Sequence, residues 1–253
     1  MKILITGASS GLGAEFARQY ATPRNELILL ARREEKLYAL RHELFESVKS
    51  IEIIVADVTE FEALQAKMAA IKNLDMVILN AGISLNHSQD ITPIAAFKKL
   101  YDVNVLSNHA ILEALLPKFQ AQKSGTIVFI SSLASLFSMP SSKVYSSSKR
   151  ALNAYAEGVR YKYKRDNIKV ITILPGFIKS ELTDKNEFFM PFFLETKEGV
   201  ARMANAIKKG KEFYAFPLRF YFLIRLLNLF PSRLKEKIVN FFNKDIAKSS
   251  SID

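Results

Sequence analysis

The sequence contains no cysteine. Disulfides are therefore excluded, and so is any zinc site built on thiolates. Histidine is scarce as well: His42, His87 and His109 are scattered, without a spacing that would gather them, and no metal site is expected. No window reaches the roughly 18 uninterrupted apolar residues of a membrane-spanning helix. No targeting signal is visible, because Met1-Lys2-Ile3-Leu4-Ile5-Thr6 runs straight into a glycine-rich turn. Internal repeats, low-complexity tracts and a linker that would split the chain are also missing. A chain without thiols suits a reducing compartment, so the expectation is a cytoplasmic protein of one domain.

What is present is a chain of 253 residues, 49% of them apolar, enough for a sizeable core. Its formal net charge is +11. Such a balance fits nucleic acid, anionic lipid or an anionic cofactor. The charge is dispersed apart from small clusters at Lys162-Lys164-Arg165 and Lys208-Lys209-Lys211. No nucleic-acid motif accompanies it, so solubility and attraction of phosphate are the more economical reading, and no nucleic-acid partner is expected.

Short apolar runs alternate with helical patterns. Strands are predicted over Lys2–Thr6, Glu26–Leu30, Ile51–Ala56, Asp75–Leu79, Thr126–Ser131 and Lys169–Leu174. Between them lie predicted helices over Gly11–Tyr20, Glu34–Ser47, Glu60–Ile71, Ile94–Gln120 and Tyr145–Arg165. Strands alternating with helices argue for a parallel sheet covered on both faces, and several strands are almost wholly apolar, as doubly buried strands should be.

The first turn reads Thr6-Gly7-Ala8-Ser9-Ser10-Gly11-Leu12-Gly13, between a strand and a helix. Glycines at 7, 11 and 13 let the backbone turn tightly and approach a pyrophosphate, while the helix start offers unpaired N–H groups and a positive dipole end. Much further on, Tyr145 and Lys149 stand four residues apart, one helical turn, on the same face. An ammonium beside a phenol stabilises the phenolate and should draw its pKa down from about 10, giving a proton donor near neutrality.

Together, Thr6-Gly-x-x-x-Gly-x-Gly13 and Tyr145-x-x-x-Lys149 resemble the short-chain dehydrogenase/reductase family. The resemblance runs from Lys2 to about Ser180. It includes Asp57-Val58 after the third strand, Asn80-Ala81-Gly82 after the fourth, Asn104 in the next helix, Ser132 thirteen residues before Tyr145, and Pro175-Gly176 after the sixth strand. Leu79 and Ser135 depart from the family's commonest residues without removing a reacting group. The resemblance implies a Rossmann-type α/β fold, a doubly wound parallel sheet with a C-terminal helical extension. It implies a catalytic set of Asn104, Ser132, Tyr145 and Lys149. Cofactor contacts are implied at Gly7, Ser9, Ser10, Gly11, Leu12, Gly13, Asp57, Val58, Asn80, Ala81, Gly82, Tyr145, Lys149, Pro175, Gly176, Ile178 and Ser180.

Within that set Lys149 is expected also to hold the nicotinamide ribose, and Asn104 to order a water that reconnects Lys149 to solvent. Ser131 and Ser132 point opposite ways at a strand end, and the spacing favours Ser132. A homo-oligomer, dimer or tetramer, is the family's habit through the helices carrying Asn104 and Tyr145.

The second strand ends Leu30-Ala31-Arg32-Arg33, with no carboxylate at its tip. A carboxylate there would repel the extra phosphate of NADP, whereas a guanidinium can clasp it. NADP(H) is therefore expected over NAD(H), with Arg32 as the contact. The expected activity interconverts a carbonyl and an alcohol of a small molecule; a 3-oxoacyl thioester reductase or a non-catalytic NADP(H)-binding regulator are the alternatives.

The remaining sequence divides, on this reading, into a core (1–180), a substrate lid (181–210) and an apolar, basic helical tail (211–253). The stretch Glu187-Phe188-Phe189-Met190-Pro191-Phe192-Phe193-Leu194 reads either as a lid over a lipophilic substrate or as a helix buried in the core. From Phe216 to Phe230 the apolar groups lie nearly all round a helix, interrupted by Arg219, Arg225 and Asn228. From Ser232 to Lys248, Leu234, Ile238, Phe241 and Phe242 share one face, with Arg233, Lys235, Lys237 and Lys244 elsewhere. Two readings stay open: helices packed on protein, or a peripheral contact with an anionic membrane surface.

Overall fold

A computed structural model describes residues 1–85, 91–184 and 190–249, with side chains described as far as residue 240. All six expected strands form: β1 (Lys2–Thr6), β2 (Glu26–Ala31), β3 (Ser50–Val55), β4 (Met76–Leu79), β5 (Gly125–Ile130) and β6 (Ile168–Pro175). A seventh, β7 (Phe213–Phe216), joins them. The helices are α1 (Gly11–Tyr20), α2 (Glu34–Leu44), α3 (Phe61–Ala70), α4 (Ile94–Tyr101), α5 (Ser107–Gln122), α6 (Lys143–Tyr163), α7 (Thr196–Lys208), α8 (Leu218–Leu229) and α9 (Ser232–Ser249).

The strands pair in parallel in the order β3-β2-β1-β4-β5-β6-β7. The chain builds outward from β1 to β3, returns to lay β4 on the other side of β1, and builds outward again. At that reversal the connections leaving β1 and β4 diverge, opening a crevice beyond the strands' carboxyl ends.

Alternation along each strand feeds two cores. Ile3, Ile5, Leu27 and Leu29 face one side, with Phe16 of α1, Leu37 of α2 and Met203 of α7. Leu4, Ile28 and Leu30 face the other, with Met68 of α3, Leu112 of α5 and Leu152 of α6. That period of two, apolar on both faces, is what a sheet covered on both sides requires. Phe16, Phe119, Phe129 and Phe216 are fully buried, each contributing about 2–3 kcal/mol of apolar burial.

Two expectations for the C-terminal third need correction. Residues 196–208, read as part of a lid, are the core helix α7, which buries Val200, Met203 and Ile207. Gly199 packs so closely on Ile178 that a Cβ there would stand 2.6 Å from the Ile178 Cδ1. The tail expected to be helical from residue 211 first supplies β7, whose residues pair with Thr172–Pro175 of β6. The predicted helix over Ile94–Gln120 is continuous, but α4 and α5 are joined by a five-residue π-helical turn, Asp102–Leu106.

Candidate active site

The crevice at the reversal is a cleft of about 420 Å³, lined from Gly7 at the start of the first turn to Thr183 beyond β6. Its nucleotide end is shaped by backbone. Thr6 at the end of β1 ties the two diverging connections together: its Oγ1 accepts from the N–H groups of Asn80 (3.0 Å) and Ala81 (2.9 Å), and the Asn80 amide donates to the Thr6 carbonyl (3.0 Å). Asn80 thus acts on the frame of the cleft through its side chain. Gly7 has a φ of +69°, in the left-handed region that costs a β-carbon little only when none is present. A Cβ on Gly13 would stand 2.2 Å from the Gly7 carbonyl oxygen, so only hydrogen fits. Ser10 precedes α1 without a side-chain cap, and the first turn of α1 carries no acidic residue. That helix start, with its N–H groups and positive dipole end, lies at the cleft.

The basic wall is wired differently from expectation. Arg32 pairs with Asp57 at 3.3 Å. Partial burial would raise the Asp57 carboxyl, but hydrogen bonds from Thr59 and the Arg32 charge outweigh it and hold the group below its ordinary value. Arg33 reaches across the glycine turn instead: its Nε donates to Ser9 Oγ (3.2 Å) and its guanidinium to Ser10 Oγ (2.5 Å). The same guanidinium lies 2.9 Å from Glu181, whose carboxylate also accepts from Lys36 (2.8 Å) and Ser10 (3.0 Å). Lys36, then Arg33 and Ser10, hold Glu181 at about 2, so it is an anion at any working pH. Lys36 and Glu181 were not anticipated. Glu181 follows Ser180 directly, but nothing local to it announces partners some 150 residues away in sequence.

At the other end, β5 delivers Ser131 and Ser132 with opposite orientations. Ser131 is buried, its hydroxyl on the Lys149 carbonyl (3.3 Å). Ser132 caps a short 3₁₀ turn, accepts from the Ala134 N–H (3.1 Å) and shares the cleft with Tyr145, whose phenol pKa it draws downward. Tyr145 and Lys149 come off the first turns of α6, and both line the cleft. Lys149 Nζ lies 5.8 Å from the centre of the Tyr145 ring and donates to the Ile130 carbonyl at 2.9 Å. The expected acidification of the phenol is not found. Burial pushes Tyr145 above its ordinary value, against the pull of Ser132. Burial lowers Lys149 to about 8. Both shifts have one cause, the loss of water around the charged form.

Asn104 is fully buried in the π-helical turn and does not line the cleft. Its Oδ1 accepts from the Ile83 N–H (2.9 Å), and its Nδ2 donates to the Ile83 carbonyl (3.0 Å) and to Ser148 Oγ (3.1 Å). Gly82 lies between Asn104 and Lys149: a Cβ there would stand 3.4 Å from Asn104 Oδ1 and 3.5 Å from Lys149 Nζ. Both amide hydrogens of Asn104 are committed, so its side chain holds the Gly82–Ile83 wall in place. On the far side, the Gly176 N–H donates to the Phe216 carbonyl (2.8 Å), which ties the Pro175–Gly176 turn to β7. Ser180 N–H donates to Thr183 Oγ1 (2.8 Å), and that hydroxyl donates to the Ile178 carbonyl (2.9 Å). Of the residues singled out from sequence, Gly7, Ser9, Ser10, Gly11, Leu12, Arg32, Asp57, Val58, Asn80, Ala81, Gly82, Ser132, Tyr145, Lys149, Pro175, Gly176, Ile178 and Ser180 all line this one cleft. Gly13 and Asn104 support it from behind. In the Phe-rich stretch, Glu187, Phe188 and Phe189 lie outside the described residues, as does His87; Phe192 and Phe193 are exposed.

A seven-stranded parallel sheet with a cleft at its reversal defines the Rossmann-type, doubly wound class. Within that class, the family model described as short chain dehydrogenase matches residues 1–188, and the chain belongs to that family of oxidoreductases. An uncharacterized oxidoreductase of Myxococcus xanthus is 34% identical over 235 residues, covering 91% of this chain and 93% of its own. Two solved structures share the fold. A short-chain dehydrogenase from Sphingobium yanoikuyae in complex with NADPH superposes with a TM-score of 0.81 at 24% identity, over 86% of this chain and 88% of its own. The bulky-bulky ketone specific alcohol dehydrogenase from Comamonas testosteroni gives 0.78 at 20% identity, over 100% and 94%.

Proposed function

We propose that this protein uses NADP(H) to interconvert a carbonyl and an alcohol on an apolar small molecule. The observation that carries the reading is convergence: Ser132, Tyr145 and Lys149 open into the same cleft as the uncapped α1 N-terminus and Arg33, with Lys36 behind them on the Glu181 carboxylate. Pyrophosphate fits the α1 N-terminus and the glycine turn, and an additional phosphate fits the donors of Ser10, Arg33 and Lys36, which already hold one anion, the Glu181 carboxylate. The cofactor supplies or takes up the hydride. Tyr145 gives its hydroxyl proton to the oxygen of the carbonyl being reduced; the raised phenol is a reservoir that keeps this proton until the oxygen becomes basic. Ser132 donates to the same oxygen as charge gathers there. Lys149, still an ammonium at neutral pH, offsets the charge left on the phenolate. In the alcohol-oxidising direction the same phenolate takes the proton back.

Leu136, Phe137 and Phe220 pack around Leu133, the residue after Ser132, and Phe220 stacks on Phe177 next to Gly176; this apolar surround favours an apolar substrate over a charged one. The NADP preference rests on Arg33 and Lys36, since among the structural neighbours one holds NADPH and another NAD.

A panel of ketones and aldehydes offered with NADPH and with NADH, followed at the absorbance of the reduced nicotinamide, tests the reading. Oxidation of NADPH should run well ahead of NADH. Tyr145→Phe should abolish turnover while leaving NADPH binding largely intact. Faster consumption of NADH would overturn the cofactor assignment, and substantial turnover by Tyr145→Phe would overturn the proton donor.

A further inference from the structure

Helix α8 has two apolar faces, and only one is used by the fold. Ile224 is buried against Leu133, Leu174 and Ala215, with Phe220 and Tyr221 beside it. Asn228 anchors the same side, its amide donating to the Leu136 carbonyl at 2.9 Å. The opposite side points to solvent: Leu218 is 59%, Phe222 64%, Leu226 53% and Leu229 79% exposed. At 100° per residue these four fall within about 80° of arc. Arg225 lies about 20° beyond one edge of the stripe and Arg219 about 20° beyond the other. Both arginines are exposed.

We propose that this stripe seats the protein on an anionic phospholipid surface, α8 lying in the plane of the headgroups. The charge pattern selects this occupant. Helix α8, with the sequence LRFYFLIRLLNL, contains no acidic residue. A second copy meeting the stripe across a two-fold axis would bring arginines against arginines, with no carboxylate on the helix to neutralise them. An anionic bilayer instead takes the leucines and Phe222 at the acyl boundary and both guanidiniums at headgroup level. The start of α9 adds Arg233, Lys235 and Lys237 against a single Glu236, and the whole chain carries +11. Among the described residues no helix is long and apolar enough to cross a membrane, so the contact is interfacial. The buried side of α8 meanwhile packs against Phe177, which stands between Gly176 and Ile178 of the cleft wall. The Phe220 ring stacks on Phe177 at 6.0 Å and is tilted against Phe192 at 5.9 Å. One helix therefore stands between the surface and the substrate wall, which suits a substrate drawn from the lipid phase. That last step rests on the carbonyl reading above; the membrane contact does not.

The test is sedimentation of the full-length protein with vesicles of phosphatidylcholine alone and of phosphatidylcholine mixed with phosphatidylglycerol. The protein should pellet with the mixed vesicles, not with the neutral ones, and be released by salt. The double variant Phe222→Glu/Leu226→Glu should lose about tenfold or more in partitioning, and Arg219→Gln/Arg225→Gln should lose the preference for the anionic vesicles. Circular dichroism and NADPH binding, read on the same samples, should match the parent protein. Failure to pellet, or pelleting indifferent to both double variants, overturns the proposal. So does a dimer in gel filtration that Phe222→Glu/Leu226→Glu dissociates while vesicles bind neither form, because the stripe would then join two copies. Binding to vesicles needs no turnover, so a protein that pellets but reduces nothing would sink the enzymatic reading and leave this one standing.

Discussion

Glu181 sits among the donors that a phosphate would use. Its carboxylate takes hydrogen bonds from Lys36, Arg33 and Ser10, at 2.8, 3.1 and 3.0 Å. On the proposed NADP(H) reading, the extra phosphate and this carboxylate would compete for the same cations, whereas a dinucleotide without that phosphate would not. Glu181→Gln removes the charge and keeps the shape. The side chain is about half exposed, so solvent already weakens each pair. The expected gain in NADPH affinity is accordingly modest, roughly three- to tenfold for two exposed ion pairs released, with NADH affinity unchanged. Fluorescence titration of both reduced dinucleotides measures it, and weaker NADPH binding by the variant would show that Glu181 belongs to the grip. This detail also marks where single-residue reasoning from sequence stops. Tyr145 and Lys149 were legible because one helical turn brings them together whatever else the chain does. The different partners of Arg32 and Arg33 were not, because both line the cleft and only the packed structure shows that Arg32 meets Asp57 while Arg33 meets Ser9, Ser10 and Glu181. The acidified phenol was misjudged for a related reason: spacing reveals the neighbour but not the loss of water, and burial dominates here.

Among the elements, the π-helical turn between α4 and α5 does most to shape the site. It carries Asn104 inward, where the amide closes a reciprocal pair of hydrogen bonds with the Ile83 backbone. Such turns recur at functional sites because the extra residue re-aims one side chain without ending the helix. Asn104→Ala leaves the Ile83 N–H and carbonyl without their partner in a part-buried setting, at a cost of about 1–3 kcal/mol. Urea unfolding should show that loss as an earlier midpoint with an unchanged slope. NADPH should bind more weakly, because Gly82 lies against Lys149 on the wall that Asn104 holds. A midpoint within error of the parent would mean the pair is not holding that wall. The helix itself could be read from its apolar spacing; the change of winding inside it could not, since it arises from a tertiary partner 21 residues away. Strand β7 escaped for the same kind of reason. FYAF is too short for a period to declare itself, and it adjoins an apolar run that reads as helix.

At the scale of the whole molecule, the order β3-β2-β1-β4-β5-β6-β7 places the cleft centrally and closes the sheet's far edge with a strand from the C-terminal region. That makes the C-terminal region two things. As far as β7 it is part of the core: Phe216 is fully buried among the residues facing α1, α2 and α7, and Ala215 packs with Leu133 and Leu174 on the other side. Its backbone also holds the Pro175–Gly176 turn that walls the cleft. Over residues 232–240 no side chain is buried, and Leu234 is exposed. Two truncations separate these roles. A chain ending at Pro231 keeps the sheet and α8, and it should unfold cooperatively within a few degrees of the parent and bind NADPH. A chain ending at Lys211 loses Phe216, about 3–5 kcal/mol alone. It also bares β6 as an unpaired edge prone to association. Against a total stability of about 5–15 kcal/mol, with Ala215 and Ile224 lost as well, the shorter chain should accumulate as aggregate and show no cooperative transition in thermal unfolding. Should it instead stay monomeric, melt in one step and bind NADPH, β7 would be an ornament on a sheet of six, and the cleft's far wall would have to stand without it.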